Sequence, residues 1–427
     1  MKPTNQSSRR EFLQTAAGAA LAANLTIAQN AHAAGSDVLK IGLIGCGGRG
    51  TGAASQALNA DKNVKLTAMG DAFLDRLESS LAALKKDKAI ADKIDVKDDH
   101  KFAGFDAYKQ VIDSGVDVVV LCEPPHFRPS HLKYAIDKGK HVFAEKPVAV
   151  DAPGIRSVLA TCEEAKKKNL SVVSGLCLRY DAGFQDTIKR IHDGAMGDIV
   201  TLQANDLRGG IWQKERQPDW TDMHFQIRNW YHFTWLSGDF NVEQHVHFLD
   251  ICAWVMKDEY PVRCVGQGGR QVRSAPGHIY DHFAIVYEYA KGQKLFSFCR
   301  QIPRCKNDIS AQVMGTKGVG HLTESDGKMS LTTLGTPWVY RGKHKDMYQV
   351  EHDELFASIR KGKPINNADY MAKSSLMAIM ARMAAYTGQQ ITWDMAFNSK
   401  EDLSPAKYDW GPLPMPEVAK PGVTKFI

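Results

Sequence analysis

Residues 38–50 read Val38-Leu39-Lys40-Ile41-Gly42-Leu43-Ile44-Gly45-Cys46-Gly47-Gly48-Arg49-Gly50, an apolar run that closes on glycines spaced G-x-G-x-x-G. An Ala-rich stretch continues to residue 58, and a second apolar run over 64–69 ends at Gly70-Asp71. This order predicts a strand, a helix and a second strand, with the glycines at the first turn. Gly45 permits the tight turn, Gly47 lets the backbone approach a pyrophosphate, and Gly50 lets helix and strand pack closely. The helix N-terminus offers N–H groups and the positive end of its dipole to phosphates, with Gly48 and Arg49 completing the loop. Asp71 stands 21 residues past Gly50. A carboxylate there accepts the ribose hydroxyls and meets a 2′-phosphate with like charge, so the pattern points to NAD, with NADP the poorer fit.

The alternation continues through a helix over 73–86, a charged loop over 87–101 and a helix near 108–114. The run over 116–121 is apolar enough for a parallel strand buried on both faces. It leads into Glu123-Pro124-Pro125-His126, which cannot continue a strand. Glu123 and Pro124 are therefore expected in a loop at the carboxyl end of the sheet, where open α/β folds bind ligands. A helix over 130–138 and a strand over 140–144 bring Glu145-Lys146-Pro147 to the same edge. A lysine at a strand tip, pinned by proline, serves a ligand or closes a structural salt bridge; the residues alone leave both open.

Past residue 151 the texture changes to a long helix over 152–168, a strand over 172–174 and a helix over 184–192, then longer strands over 199–205, 262–268, 282–289 and 294–300. Sequential strands with turn signals predict a mostly antiparallel sheet. Helical spacing resumes over 351–390, with a methionine-rich stretch expected as core packing. The chain thus divides into a Rossmann domain over 36–150, an α+β substrate and oligomerisation domain over 151–393, and a tail over 394–427.

At 427 residues, 44% hydrophobic and 24% charged, the chain is long enough for two domains and excludes disordered, collagen-like and coiled-coil classes. The formal charge of +6 falls to +4 once Lys2, Arg9, Arg10 and Glu11 are set aside, too mild for a nucleic-acid partner. Those four residues lie in a segment of their own. Ser8-Arg9-Arg10-Glu11-Phe12-Leu13 precedes a mild apolar stretch that closes on Ala31-His32-Ala33, so residues 1–33 are expected to be a twin-arginine export signal. It is too short and too weakly hydrophobic to span a bilayer, so no stable membrane span is expected after cleavage. The expected destination is the periplasm or another location reached through the twin-arginine route. The eight cysteines show no metal-binding spacing and are expected mostly as buried thiols in the reduced state, a late disulfide such as Cys299–Cys305 being the minor alternative.

The glycine-rich βαβ unit, Gly139-Lys140-His141-Val142 before Glu145-Lys146-Pro147, and the segment Gly238 to Asp250 together resemble the Gfo/Idh/MocA oxidoreductase family. The resemblance covers residues 38–393. It implies a dinucleotide-bound enzyme acting on sugars, polyols or glycosides, an open-faced sheet in the second domain and a homo-oligomer formed through that sheet. It also implies that Lys146 and His247 handle the substrate proton. Two departures stand out. Glu243 and His245 occupy positions where the family commonly has aspartate and glycine, and Arg128 stands where the family's Pro-x-x-x-His motif places histidine.

Read without the family, Glu243, His247 and Asp250 share one face of a helix, and a carboxylate beside an imidazole suits a general base. A metal site from Glu243, His245 and His247 would need a strand, since on a helix 245 and 247 diverge, so no metal is expected. Between 205 and 235 lie Trp212, Trp220, Trp230 and Trp235 with several Arg and His, suited to pyranose rings or equally to a packed interface. Arg179, Tyr180, Trp230, His245 and Asp250 are the candidates for lining the substrate cleft.

Export bears on the chemistry. A compartment without a maintained nicotinamide pool favours a cofactor bound before export and kept through turnover. Hydride transfer between two sugars meets that need. Transient oxidation, elimination and return of the hydride, which hydrolyses a glycoside, meets it too. A non-catalytic dinucleotide sensor would keep Gly45, Gly47, Gly50 and Asp71 without needing Lys146 or His247.

Overall fold

The computed structural model describes residues 38–274, 276–324, 328–333 and 336–427. The export signal expected over 1–33 lies outside them. Six parallel strands form the first sheet: β1 (Leu39–Ile44), β2 (Val64–Asp71), β3 (Lys101–Ala103), β4 (Val118–Leu121), β5 (His141–Ala144) and β6 (Val172–Ser174). Their order is β3-β2-β1-β4-β5-β6, with every neighbouring pair parallel. The order reverses between β1 and β4, which opens a crevice at their carboxyl ends, flanked by the glycine loop and Glu123. All four residues of β4 are buried, as a valine run covered on both faces requires.

The domain boundary expected at residue 150 is corrected. The helix Ala152–Lys167 crosses back over the sheet and returns the chain as β6, whose Val172 pairs with Val142. A parallel neighbour requires such a crossover, so the first sheet runs on to Ser174.

The second sheet has nine strands: β7 (Ile199–Arg208), β8 (Arg263–Gly269), β9 (His282–Glu288), β10 (Lys294–Gln301), β11 (Asp308–Gly315), β12 (Gly318–Thr323), β13 (Ser330–Thr333), β14 (Thr336–Val339) and β15 (Ile391–Thr392). Only β7 and β10 pair in parallel; the rest are antiparallel. Burial alternates along β10, with Leu295, Ser297, Cys299 and Gln301 turned inward. Phe296 and Phe298 face out, as do Val265 and Val319 on other strands. The inner face packs on helices Val246–Val255 and Ala368–Thr387; the latter is buried nearly all round and carries the methionines into the core.

The segment over 394–427 is tied down along its length. Leu403 N–H donates to Asp151 Oδ2 (3.1 Å), Tyr408 Oη meets His126 Nε2 (2.7 Å), and Leu413 N–H donates to Asp222 Oδ2 (3.3 Å). It therefore touches both domains. All eight cysteines are free thiols, Cys299 buried and Cys305 exposed, so the pair considered for a disulfide is unlinked.

Candidate functional site

A cavity of about 670 Å³ runs from the glycine loop, past the ends of β2, β4 and β5, to helices of the second domain. Gly45 has φ +89°, and a Cβ there would lie 2.3 Å from Glu123 N. A Cβ on Gly50 would lie 1.8 Å from Gly45 O, so only glycine lets this helix seat on the loop. Gly47 faces open space apart from Arg76, and Gly48 meets nothing within 4 Å. The loop thus presents bare backbone to the cavity, a cradle that fits a dinucleotide pyrophosphate. At the end of β2, Asp71 accepts from Cys46 N–H (2.7 Å) and Phe73 N–H (2.9 Å). Burial raises the Asp71 carboxyl above its ordinary range, opposed by those two N–H groups and by Arg76.

Arg49 lines the cavity but turns its guanidinium onto protein carboxylates. Its Nε donates to Glu145 Oε1, its Nη2 to Glu351 Oε1 (2.8 Å) and its Nη1 to Gln56 Oε1 (2.7 Å). The two acids divide the charge between them. Burial opposes ionisation of Glu145, yet Arg49, Lys146 and Arg128 outweigh it and hold Glu145 ionised. Burial and the adjacent Glu145 push Glu351 well up, so it keeps its proton. Glu145 Oε2 also accepts the Lys146 N–H at 3.1 Å.

The Lys146 side chain leaves the tip of β5 and reaches the second domain, where its Nζ donates to Glu243 O (2.6 Å) and Glu243 Oε1 (3.0 Å). Behind it, Arg128 is only 4% exposed and donates to Lys146 O (3.1 Å), Pro147 O (2.6 Å) and Glu123 O. Arg128, His131 and Tyr108 also line the cavity, with His131 Nδ1 3.1 Å from Glu123 Oε1. His247 lines the same cavity as Lys146 and Glu243, its Nδ1 buried without a partner among the described residues. Burial, then the charges of Lys146, Arg208 and Arg49, drive the His247 pKa well below the ordinary histidine value. It is a neutral imidazole.

The continuous helix expected over 243–250 is broken. Glu243 closes the helix Phe240–Glu243 and His247 sits in the next, Val246–Val255. Asp250 does not orient His247; it forms a two-pronged pair with Arg179 (Nε and Nη2, both 2.8 Å) and accepts from Ser374 Oγ (2.7 Å). That corrects two cleft candidates together, since Arg179 is spent on Asp250 and Asp258 and stacks over Tyr370. Tyr180 is buried and donates to Asn367 Oδ1 (3.0 Å). His245 is fully buried with Nε2 2.8 Å from Ser297 Oγ on β10, and burial drops its pKa to about 3. None of these four lines the cavity; Trp230 and Trp212 do, with ring centroids 6.3 Å apart. Pro124 and Glu123 also lie on its wall.

A cradle for a dinucleotide beside a lysine–glutamate pair and a neutral histidine is the site of a nicotinamide-dependent oxidoreductase. The NAD-binding Rossmann domain that defines one such family matches residues 39–174, and that family's C-terminal alpha/beta domain matches residues 188–378. The chain belongs to the Gfo/Idh/MocA oxidoreductase family, and its first domain is the NAD-binding one. It is similar to the inositol 2-dehydrogenase of Serratia proteamaculans, 24% identical over 76% of this chain and 87% of that protein. The inositol 2-dehydrogenase of Pseudomonas fluorescens is 25% identical over 83% of this chain and 96% of its own length. Among solved structures, the aldose-aldose oxidoreductase of Caulobacter crescentus, complexed with glycerol, shares the fold with a TM-score of 0.66 at 18% identity. That match covers 83% of this chain and 99% of the other.

Proposed function

We propose that this chain oxidises a secondary alcohol of a sugar or polyol, with Lys146 and His247 managing the hydroxyl proton. The observation that carries this reading is the convergence of Lys146, Glu243 and His247 on the cavity that also holds the glycine loop. Bound NAD supplies the hydride acceptor. The Lys146 ammonium has three N–H donors and two acceptors on Glu243, which leaves one N–H for a substrate oxygen and its developing negative charge. His247, kept neutral by burial, takes the hydroxyl proton. Trp212 and Trp230 offer apolar faces to a polyhydroxylated ring. The named substrates of the inositol and aldose relatives are of that class. The test is to incubate the protein with NAD and a panel of inositols, aldoses and glycosides and to follow reduced nicotinamide. Its appearance with a polyol or aldose supports the reading. Sugar release from a glycoside without net reduction would move it to the transient-oxidation hydrolase, and NAD binding with neither reaction would move it to a sensor.

The reading includes export with the cofactor retained. The twin-arginine pattern in the sequence supports export. Retention is supported by Trp410 of the C-terminal segment, which stacks on Phe105 (centroids 4.5 Å) and leans on Phe73 (5.3 Å), two rings that line the cavity beside Asp71. Dinucleotide released on denaturing the purified exported protein would support it; an apo protein that needs NAD in excess would not. The outward Phe296, Phe298 and Val319 favour a second copy of the chain as the cover of the open sheet, which light scattering would detect as a dimer or larger.

A further inference from the structure

Residues 209–217 form no helix or strand, yet buried side chains hold their middle on the cavity wall. Asn229, fully buried, brackets Lys214: its Oδ1 accepts the Lys214 N–H at 2.8 Å and its Nδ2 donates to the Lys214 carbonyl at 3.1 Å. His232, also fully buried, donates from Nε2 to the Trp212 carbonyl at 2.8 Å. Trp212, Gln213 and Lys214 therefore line the cavity in a fixed arrangement, although Trp212 is still 42% exposed. Holding an exposed tripeptide in place lowers the cost of binding a ligand to it. The other cations on the wall are committed or lie elsewhere. Arg49 is tied to Glu145 and Glu351, Arg128 to three carbonyls and Lys146 to Glu243, while Arg76 stands over Gly47 of the glycine loop. Lys214 is exposed to the cavity, and its ammonium has no hydrogen-bond or ion-pair partner among the described residues. On this second-domain side Glu243 offsets Lys146 and His247 is neutral, so Lys214 leaves one positive charge unbalanced on the wall that carries the Trp212 and Trp230 rings.

We propose that the substrate is a sugar acid whose carboxylate pairs with Lys214. The proposal rests on the reading of the cavity as the site of a sugar or polyol oxidoreductase and narrows the substrate to an anionic subclass. One unbalanced ammonium matches the single charge of a carboxylate. A phosphate monoester carries nearly two charges and is better met by an arginine fork or by several donors together. The flexible lysine stem lets the ammonium follow a carboxylate at the rim of a ring while the ring lies against a tryptophan face. An ion pair this open to water adds a modest, salt-screened preference, so Lys214 chooses among sugars and leaves the chemistry to Lys146 and His247.

Calorimetric titration of the full protein, loaded with NADH so that no turnover occurs, tests this with glucose, galactose and mannose, the hexuronate of each and the 6-phosphate of each. Wild type at low salt is expected to bind at least one hexuronate about fivefold or more tighter than its parent aldose, and tighter than the matching 6-phosphate. In Lys214→Gln that advantage should shrink to less than about twofold, and Lys214→Arg should restore most of it, while the NAD dissociation constant stays within about threefold in both. A preference below about fivefold for every hexuronate would overturn the proposal, and a 6-phosphate bound tightest would overturn the choice of carboxylate. A loss in Lys214→Gln that NAD shares in equal measure would also overturn it, by assigning the ammonium to the cofactor phosphates. Neutral aldoses that bind as well as their acids would remove this proposal and leave the sugar oxidoreductase reading standing. Binding of no sugar of any kind would overturn that reading and this proposal with it.

Discussion

Lys146 and Glu243 meet across the boundary between the two domains, with the Lys146 Nζ 2.6 Å from the Glu243 carbonyl oxygen and 3.0 Å from its Oε1. One residue of the second domain thus fixes the charge that a strand tip of the first delivers. The pair is nearly buried, with side-chain exposures of 12% and 10%, so neither partner can be removed without leaving the other poorly matched.

Glu243→Ala is therefore expected to lower kcat by about ten- to a hundredfold, since a misplaced ammonium loses aim as well as charge balance. The NAD dissociation constant should stay within about threefold, because the Glu243 bonds go to Lys146 and not to the glycine loop. Glu243→Gln keeps an acceptor for the Lys146 N–H and should recover part of the rate. Steady-state kinetics with a parallel NAD titration checks both.

Arg128 supports Lys146 from behind, donating to the carbonyls of Lys146, Pro147 and Glu123. Replacing it with Met strands two buried acceptors and one part-buried one, which should destabilise the fold by about 3 kcal/mol and lower kcat with little change in KM. Urea denaturation gives the first quantity and initial rates the second.

Two glycines of the helix Gly48–Ala60 should respond in opposite senses. Gly50→Ala places a methyl 1.8 Å from Gly45 O and must push the helix off the loop, so dinucleotide binding should be lost. Gly52→Ala meets nothing nearer than Arg49 Nη1 at 3.8 Å. In a helix interior it should add roughly 0.5–1 kcal/mol of stability. Thermal melts and NAD titration separate the two.

The buried histidines set the acid limb. Burial holds His247 neutral, with its pKa well below 6.5, so its capacity as a base is present above that lowered pKa and is lost only well under 6.5. The pH profile of kcat/KM should show no histidine break between about pH 8 and pH 6. Stability carries the same sign. Folded His245, with a pKa of about 3, refuses a proton that the unfolded chain accepts near pH 6.5, so its contribution is full above about pH 6.5 and shrinks as pH falls toward 3. His245→Gln should flatten the fall of Tm between about pH 7 and pH 5.

What the sequence disclosed follows from how local each signal is. The glycine loop, the valine-rich β4 and the strand ahead of Lys146 are written in consecutive residues, and the fold class follows from them. The first sheet's sixth strand was harder to place, because three residues, Val172–Ser174, say nothing of which sheet they join. The glycine and lysine parts of the site were legible for the same local reason. The cleft candidates Arg179 and Asp250 were not, since two charged residues 71 positions apart satisfy each other, a pairing that only the packed chain reveals. Arg49 with Glu351, 302 positions apart, is the same case. Arg128 carried one signal, its place where a resembling family has histidine, and its service to the Lys146 carbonyl could not be read from that.

The most direct test of the account is the rate of a single turnover, followed as the appearance of reduced nicotinamide, in wild type, Lys146→Met and His247→Asn at saturating NAD and substrate. The account predicts that each substitution slows this step by about 10²–10⁴-fold while the NAD dissociation constant moves by less than about threefold. Turnover within about tenfold of wild type in both variants would contradict it, and would remove Lys146 and His247 from the proton chemistry assigned to them.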